Sequence, residues 1–186
     1  MKAEKKTEFV VPENFIVNIG RAEIEKGQWH LVRAFAKVCK IYPKIKLVMI
    51  GVGSLSSYLK KTITDLGLTK NVIYIDKFLK NIMPFLKHAK ISILSSIFEG
   101  FPNVLVESLA VGTPVISTNC RSGPAEILEA ENKNSNEIII TKYGILTPKL
   151  DGIMKKYNEP LTLAEDKLAE AIILLLKNSQ LRKKCL

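Results

Sequence analysis

The chain of 186 residues is poor in the residues that build covalent or metal-stapled folds. It has three cysteines, Cys39, Cys120 and Cys185, odd in number and far apart, which suits reduced thiols and excludes a disulfide framework. Two histidines, His30 and His88, lie near no partner His or Cys, so no metal site is expected, and both are taken as helix-surface residues. The four aspartates, Asp65, Asp76, Asp151 and Asp166, never form an Asp-x-Asp pair. No apolar run reaches the roughly 20 residues needed to cross a bilayer, and Met1-Lys2-Ala3-Glu4-Lys5-Lys6 does not read as a signal peptide. There is no internal repeat and no low-complexity tract.

What is present is a strongly basic, globular composition. The net charge is +10 with 47% apolar and 25% charged residues, enough for one domain with a sizeable core. Such a charge can attract nucleic acid, an anionic membrane face or a phosphorylated ligand. The lysines are scattered, with short pairs at Lys60-Lys61, Lys155-Lys156 and Lys183-Lys184. They do not alternate with aromatics as in a single-strand binder, and no zinc-finger or helix-turn-helix pattern occurs. Nucleic acid is therefore not an expected partner, while weak attraction to anionic lipid at the inner face of a cytoplasmic membrane stays open for a protein expected in the cytoplasm.

Residues 1–8 read as a loose polar tail, and 9–186 as a single domain. Apolar strands alternate with amphipathic helices. Strands are expected at Phe15–Ile19, Lys46–Ile50, Asn71–Ile75, Ile91–Ser96 and Pro114–Ser117, with one or two more between Ile138 and Leu146. Helices are expected from about Gln28 to Lys40, Ser56 to Leu66, Ile82 to His88 and Leu163 to Lys177. Another is expected after Cys120, capped by Ser122 with Pro124 at its start. The fold class is α/β: a Rossmann-like, mainly parallel sheet of about six strands with helices on both faces.

The chemistry concentrates in Glu99-Gly100-Phe101-Pro102-Asn103-Val104-Leu105-Val106-Glu107. A buried strand precedes it, the chain turns at Gly100, and Pro102 can take the first helical position. The helix then leaves N–H groups at Asn103 and Val104 facing outward, backed by the helix dipole and suited to phosphate. Glu107, five residues past Pro102, lies roughly 7–8 Å along the axis at the standard rise, within reach of a ribose diol. Glu99, before the turn, falls on the opposite side of the phosphates.

A second anion site is signalled where the first strand ends in Gly20-Arg21 and continues to Lys26-Gly27. Arg21 can fork onto a diphosphate and Lys26 can add a compact charge, though both can equally be surface partners of Glu23 and Glu25. Gly51-Val52-Gly53 invites a dinucleotide-binding reading with Asp76 as the ribose acid, but Ser56 stands where that fingerprint wants a third Gly or Ala.

The spacing of Glu99 and Glu107 around Gly-Phe-Pro, followed by Gly112-Thr113-Pro114-Val115-Ile116-Ser117-Thr118, resembles the Glu-x7-Glu region of retaining glycosyltransferases of family 4. The likeness runs from about Phe15 to Lys177. It implies the C-terminal, donor-binding half of a two-domain GT-B enzyme, without the N-terminal acceptor half. It implies a UDP-sugar or GDP-sugar donor, a glycan or lipid-linked acceptor, and no cofactor or metal. By the same resemblance Arg21 and Lys26 contact the diphosphate, Glu99 the sugar and Glu107 the ribose. Gly20, Gly51, Gly53, Gly100, Phe101, Pro102, Asn103 and Val104 line the donor site, and Phe78 either stacks on the base or anchors its loop. A hexosyltransferase unable to complete transfer alone is the leading expectation. A sugar-nucleotide epimerase of the same architecture and a non-catalytic nucleotide-sugar-binding module are the rivals.

Overall fold

The computed structural model describes residues 10–130 and 136–185; the expected 1–8 tail and most of the polar loop at 131–136 lie outside them. Strands β1 (Phe15–Ile19), β2 (Lys46–Ile50), β3 (Val72–Ile75), β4 (Ser92–Leu94), β5 (Val115–Thr118), β6 (Ile139–Ile140) and β7 (Gly144–Thr147) form one sheet. Its order is β3-β2-β1-β4-β5-β7-β6, seven strands rather than the expected six or so. The first six in that order are parallel, and the additional two-residue β6 pairs antiparallel with β7 as a hairpin.

Strands buried on both faces read as continuous apolar runs, and here alternate residues serve opposite layers. Ile16, Leu47, Met49, Ile93, Ile116 and Ile145 pack with helices α1 (Gln28–Ile41), α2 (Ser56–Asp65) and α6 (Leu163–Lys177). Phe15, Val17, Val48 and Ile50 face the other way, toward Phe85 and Leu86 of α3 (Met83–His88). On that second face Leu105 of α4 (Asn103–Ala110) and Ala125 of α5 (Pro124–Ile127) cover Val115 and Leu146. A short α7 (Ser179–Lys184), which no periodicity announced, is capped by the Asn178 side chain accepting from Leu181 N.

Three local expectations need correcting. Helix α4 begins at Asn103 with Pro102 as its cap, not as its first residue. Helix α5 is capped by Gly123, whose φ of 104° suits glycine, and whose N–H donates to Glu126 Oε2 at 3.0 Å. Ser122 instead donates through Oγ to Gly100 O at 3.1 Å, stitching the β5–α5 loop to the β4–α4 loop. His30 is fully buried, not on a helix surface, whereas His88 is exposed as expected.

The burial of His30 has a cause 135 residues away. Its Nδ1 lies 2.8 Å from Glu165 Oε1, and since a carboxylate only accepts, Nδ1 is the donor of this bond. Arg33 Nε donates to the same oxygen at 2.8 Å. The rest of the Arg33 guanidinium donates to the carbonyls of Lys156, Glu159 and Pro160. Glu165 Oε2 accepts from Thr162 N at 2.7 Å while Thr162 Oγ1 accepts from Glu165 N, a reciprocal capping box that starts α6. The segment between β7 and α6 is thus strapped over α1 by its carbonyls, with Trp29 Nε1 donating to Ile153 O at 3.2 Å.

At the other end of β1, backbones meet closely. A Cβ on Gly51 would come within 2.0 Å of Gly20 O, and one on Gly53 within 2.4 Å of Ala22 O. The two loops are also joined by Glu23, whose carboxylate accepts from Ser54 N at 3.0 Å and Ser54 Oγ at 2.5 Å, holding its pKa below the ordinary value.

Two outcomes follow. Burial alone would raise the Glu165 carboxyl, but hydrogen bonds from His30, Arg33 and Thr162 N and the charge of Arg33 outweigh it, bringing it from 4.5 to about 2. A depressed carboxyl stabilises the fold above its unfolded pKa and ceases to as pH falls through the folded one. Urea unfolding should therefore show a component of about 3 kcal/mol lost between pH 4.5 and 2, which Glu165→Gln lacks. Gly51→Ala, at a φ of 140° and against Gly20 O, should cost at least about 2 kcal/mol, read as a lowered urea midpoint at unchanged m value.

Candidate donor-binding site

In an open α/β sheet, ligands sit outside the carboxyl ends of the strands where the order reverses. That point here falls between β1 and β4, each followed by a loop that carries charge. A cleft of about 570 Å³ opens there, lined by the loops after β1, β2, β3 and β4 and by the first turns of α4.

Most of the residues expected from sequence share this cleft. Gly20, Arg21 and Lys26 come from the first loop, Gly51 from the second, Phe78 from the third. Glu99, Phe101, Pro102, Asn103, Val104 and Glu107 come from the fourth loop and α4. Gly53 and Gly100 do not line it. Gly53 lets the second loop lie against Ala22, and the Gly100 carbonyl receives Ser122. Both are scaffold to the cleft wall rather than part of its lining.

The two carboxylates stand in different surroundings. Glu99 is 6% exposed and its partners are all near. Lys26 Nζ lies 2.8 Å from Oε1 and 3.0 Å from Oε2, and Ser96 Oγ donates to Oε1 at 2.6 Å. Lys26 and Glu99, taken separately from sequence, are thus one ion pair joining the first loop to the fourth. The remaining ammonium proton of Lys26 is unspent by these bonds. Glu107 is half-buried on the cleft-facing side of α4.

Arg21 is the exposed cation of the set, with Nη2 2.8 Å from Glu25 Oε1. An exposed pair of this kind contributes little, so the guanidinium can turn to a better anion at small cost. The expected pair of free N–H groups is reduced to one. Asn103 N donates to Phe101 O at 3.0 Å, closing a tight turn before the helix, and Leu105 N donates to Pro102 O. The Val104 N–H has no hydrogen-bond partner among the described residues and points its half of the helix dipole at the cleft wall it lines.

Phe78 is 82% exposed, which rules out the buried loop anchor and leaves an aromatic face in the cleft. Lys77, Lys80, Asn81 and Met83, which no sequence motif marks, line the same wall. The dinucleotide-binding alternative fails on geometry. Asp76, its would-be ribose acid, accepts from Ser56 Oγ at 2.5 Å and Lys60 Nζ at 2.6 Å and does not line the cleft. Ser56 itself is spent on that bond. Burial pushes the Cys39 and Cys120 thiols up to about 11, so neither is a ready nucleophile.

Among the described residues, no helix is long and apolar enough to cross a membrane, and no group of three or more His, Cys, Asp and Glu is placed to hold a metal ion.

Comparison with known proteins places this geometry in a family. The model for glycosyl transferases group 1 matches residues 2–149. An uncharacterized glycosyltransferase of Methanocaldococcus jannaschii is 40% identical over 188 residues, covering 97% of this chain and 46% of its own length. The N-acetylgalactosamine-N,N'-diacetylbacillosaminyl-diphospho-undecaprenol 4-alpha-N-acetylgalactosaminyltransferase of Campylobacter jejuni is 31% identical over 137 residues, 69% of this chain and 36% of that protein. The chain thus spans less than half the length of either relative. Among solved structures, TarM of Staphylococcus aureus in complex with fondaparinux, alpha-GlcNAc-glycerol and UDP superposes with a TM-score of 0.75 at 20% identity, over all of this chain and 33% of that one. The C-terminal domain of the group 1 glycosyl transferase LpcC from Francisella tularensis gives 0.69 at 23% identity, over 94% of this chain and 82% of that domain. The fold is therefore the Rossmann-like one of GT-B enzymes, and the chain belongs to the group 1 glycosyltransferases.

Proposed function

We propose that this chain is the nucleotide-sugar-binding domain of a retaining family 4 hexosyltransferase, acting on a glycan or lipid-linked acceptor held by a second, N-terminal domain. The observation that carries the reading is the meeting of Arg21, Lys26, Glu99, Glu107 and the Val104 N–H at one cleft on the switch point of the sheet. The UDP of the TarM complex, a protein of the same fold, supports a nucleoside diphosphate as the handle.

In this reading the diphosphate lies between the first loop and the start of α4. Departure of the sugar builds negative charge on the distal phosphate. Arg21, the unspent proton of Lys26 and the Val104 N–H meet that charge, with little reorganisation needed at the moment of reaction. Side chains supply the positive charge, so no metal is called for. Glu107 accepts from the ribose hydroxyls, and the Phe78 face is offered to the base. Glu99 accepts from a hydroxyl of the donor sugar. The isolated domain binds donor without completing transfer, because the acceptor site is elsewhere.

Calorimetry with UDP and GDP tests this. Glu107→Ala should weaken binding by about 1–3 kcal/mol, the cost of leaving a buried polar partner unmet, and an unchanged affinity removes its ribose role. Arg21→Ala should weaken UDP binding far more than uridine binding; an equal loss on both means that the first loop is not the phosphate site. Addition of EDTA should leave the affinity where it was, and a clear loss would bring a metal into the site.

A further inference from the structure

Two consecutive serines follow β4, and each holds one partner of the Lys26–Glu99 pair. Ser95 Oγ donates to the backbone carbonyl of Lys26 at 3.0 Å, fixing where that residue starts. Ser96 Oγ donates to Glu99 Oε1 at 2.6 Å, fixing where that carboxylate ends. Ser96 is itself 1% exposed, and its own carbonyl accepts from Thr118 Oγ1 on β5. The hydroxyl is therefore mounted on the central sheet, not on the cleft loop it steadies.

The two oxygens of Glu99 are not equivalent. Each carboxylate oxygen has about two lone-pair sites. Oε1 spends both, on Ser96 Oγ at 2.6 Å and Lys26 Nζ at 2.8 Å. Oε2 spends one, on Lys26 Nζ at 3.0 Å. One acceptor site on Oε2 is what remains for anything in the cleft that Glu99 lines.

We propose that Ser96 is a positioning residue for donor-sugar recognition: by saturating Oε1 it fixes the Glu99 carboxylate so that Oε2 alone is presented to a hydroxyl of the bound sugar. This rests on the reading of Glu99 as the sugar-facing carboxylate. A filled Oε1 has two consequences. The carboxylate cannot rotate to meet the sugar with either oxygen, so part of the ordering cost is met before the donor arrives. The sugar group at that place must donate a proton, since Glu99 has nothing to give. The diphosphate, held by Arg21, Lys26 and Val104 N–H, does not depend on Ser96. Loss of the hydroxyl should therefore separate sugar recognition from nucleotide recognition, which a merely structural role would not do.

Calorimetry on the chain as it stands, with UDP and UDP-glucose and with GDP and GDP-mannose, reads this separation. The wild type should bind at least one sugar conjugate more tightly than its parent nucleotide. Ser96→Ala should keep the parent affinity within about twofold and cut the conjugate-to-parent affinity ratio by about three- to tenfold, the scale of one lost hydrogen bond. Ser96→Thr, which keeps a hydroxyl, should restore the ratio. A ratio unchanged in Ser96→Ala, or a wild-type ratio of one, overturns the proposal while leaving nucleotide binding intact. A parallel fall of conjugate and parent with a lowered thermal midpoint also overturns it, by assigning Ser96 to the scaffold. Binding of none of the four ligands by the wild type is a different result, since it removes the donor-site reading itself.

Discussion

Lys26 and Glu99 are 73 residues apart in the chain and in contact in the fold. Their ion pair closes the loop after β1 onto the loop after β4, and those loops form two of the walls of the cleft. It is a nearly dry contact, with Glu99 almost wholly covered, so it stands only while both charges are present and hydrogen-bonded. Everything chemical in the molecule is arranged around it. Arg21 stands ahead of it on the same loop, α4 starts just beyond it, and the serines after β4 brace it from behind.

A pair of this kind does two jobs at once. It keeps a lysine from being an unpaired cation in a half-closed cleft, and it leaves one proton of that lysine outside the pair. The Glu99 carboxylate lines the same cleft with an oxygen that can accept from a hydroxyl. The pair is neutral in itself, so the attraction for an anion comes from the other parts of the lining, Arg21, Lys77, Lys80 and the backbone of α4. Charge is graded across the cleft rather than massed in it.

Much of this was legible in the sequence, and the reasons for the exceptions are physical. The strands at Phe15–Ile19 and Lys46–Ile50 matched to the residue, because a parallel strand covered on both faces is a nearly continuous apolar run, broken here only by Asn18 and the leading Lys46, with turn residues after it. Glycines at 51 and 53 marked a close approach, but only coordinates tell that the approaching atoms are the carbonyls of Gly20 and Ala22. Helix rules count the N–H of Asn103 as an orphan of the first turn, and the local turn back to Phe101 O is outside those rules. Nothing in the sequence sets Ser96 apart, because it closes an apolar run and looks like its last strand residue. His30 was misplaced for the plainest reason: nothing within its own helix says that Glu165, 135 residues on, is waiting for it.

That distance has a consequence for how the chain matures. Arg33 is 2% exposed, on a helix packed early in the sequence, and every partner given to its guanidinium lies between Lys156 and Glu165. In a chain that stops before residue 156, Arg33 lacks every one of these partners, and the side of α1 that packs on α6 is left uncovered. The residues that line the cleft all fall within the first 107, yet the layer that α1 shares with α6 is completed only by residues 163–177. A chain cut short of α6 would therefore hold every residue of the cleft lining on an unfinished layer.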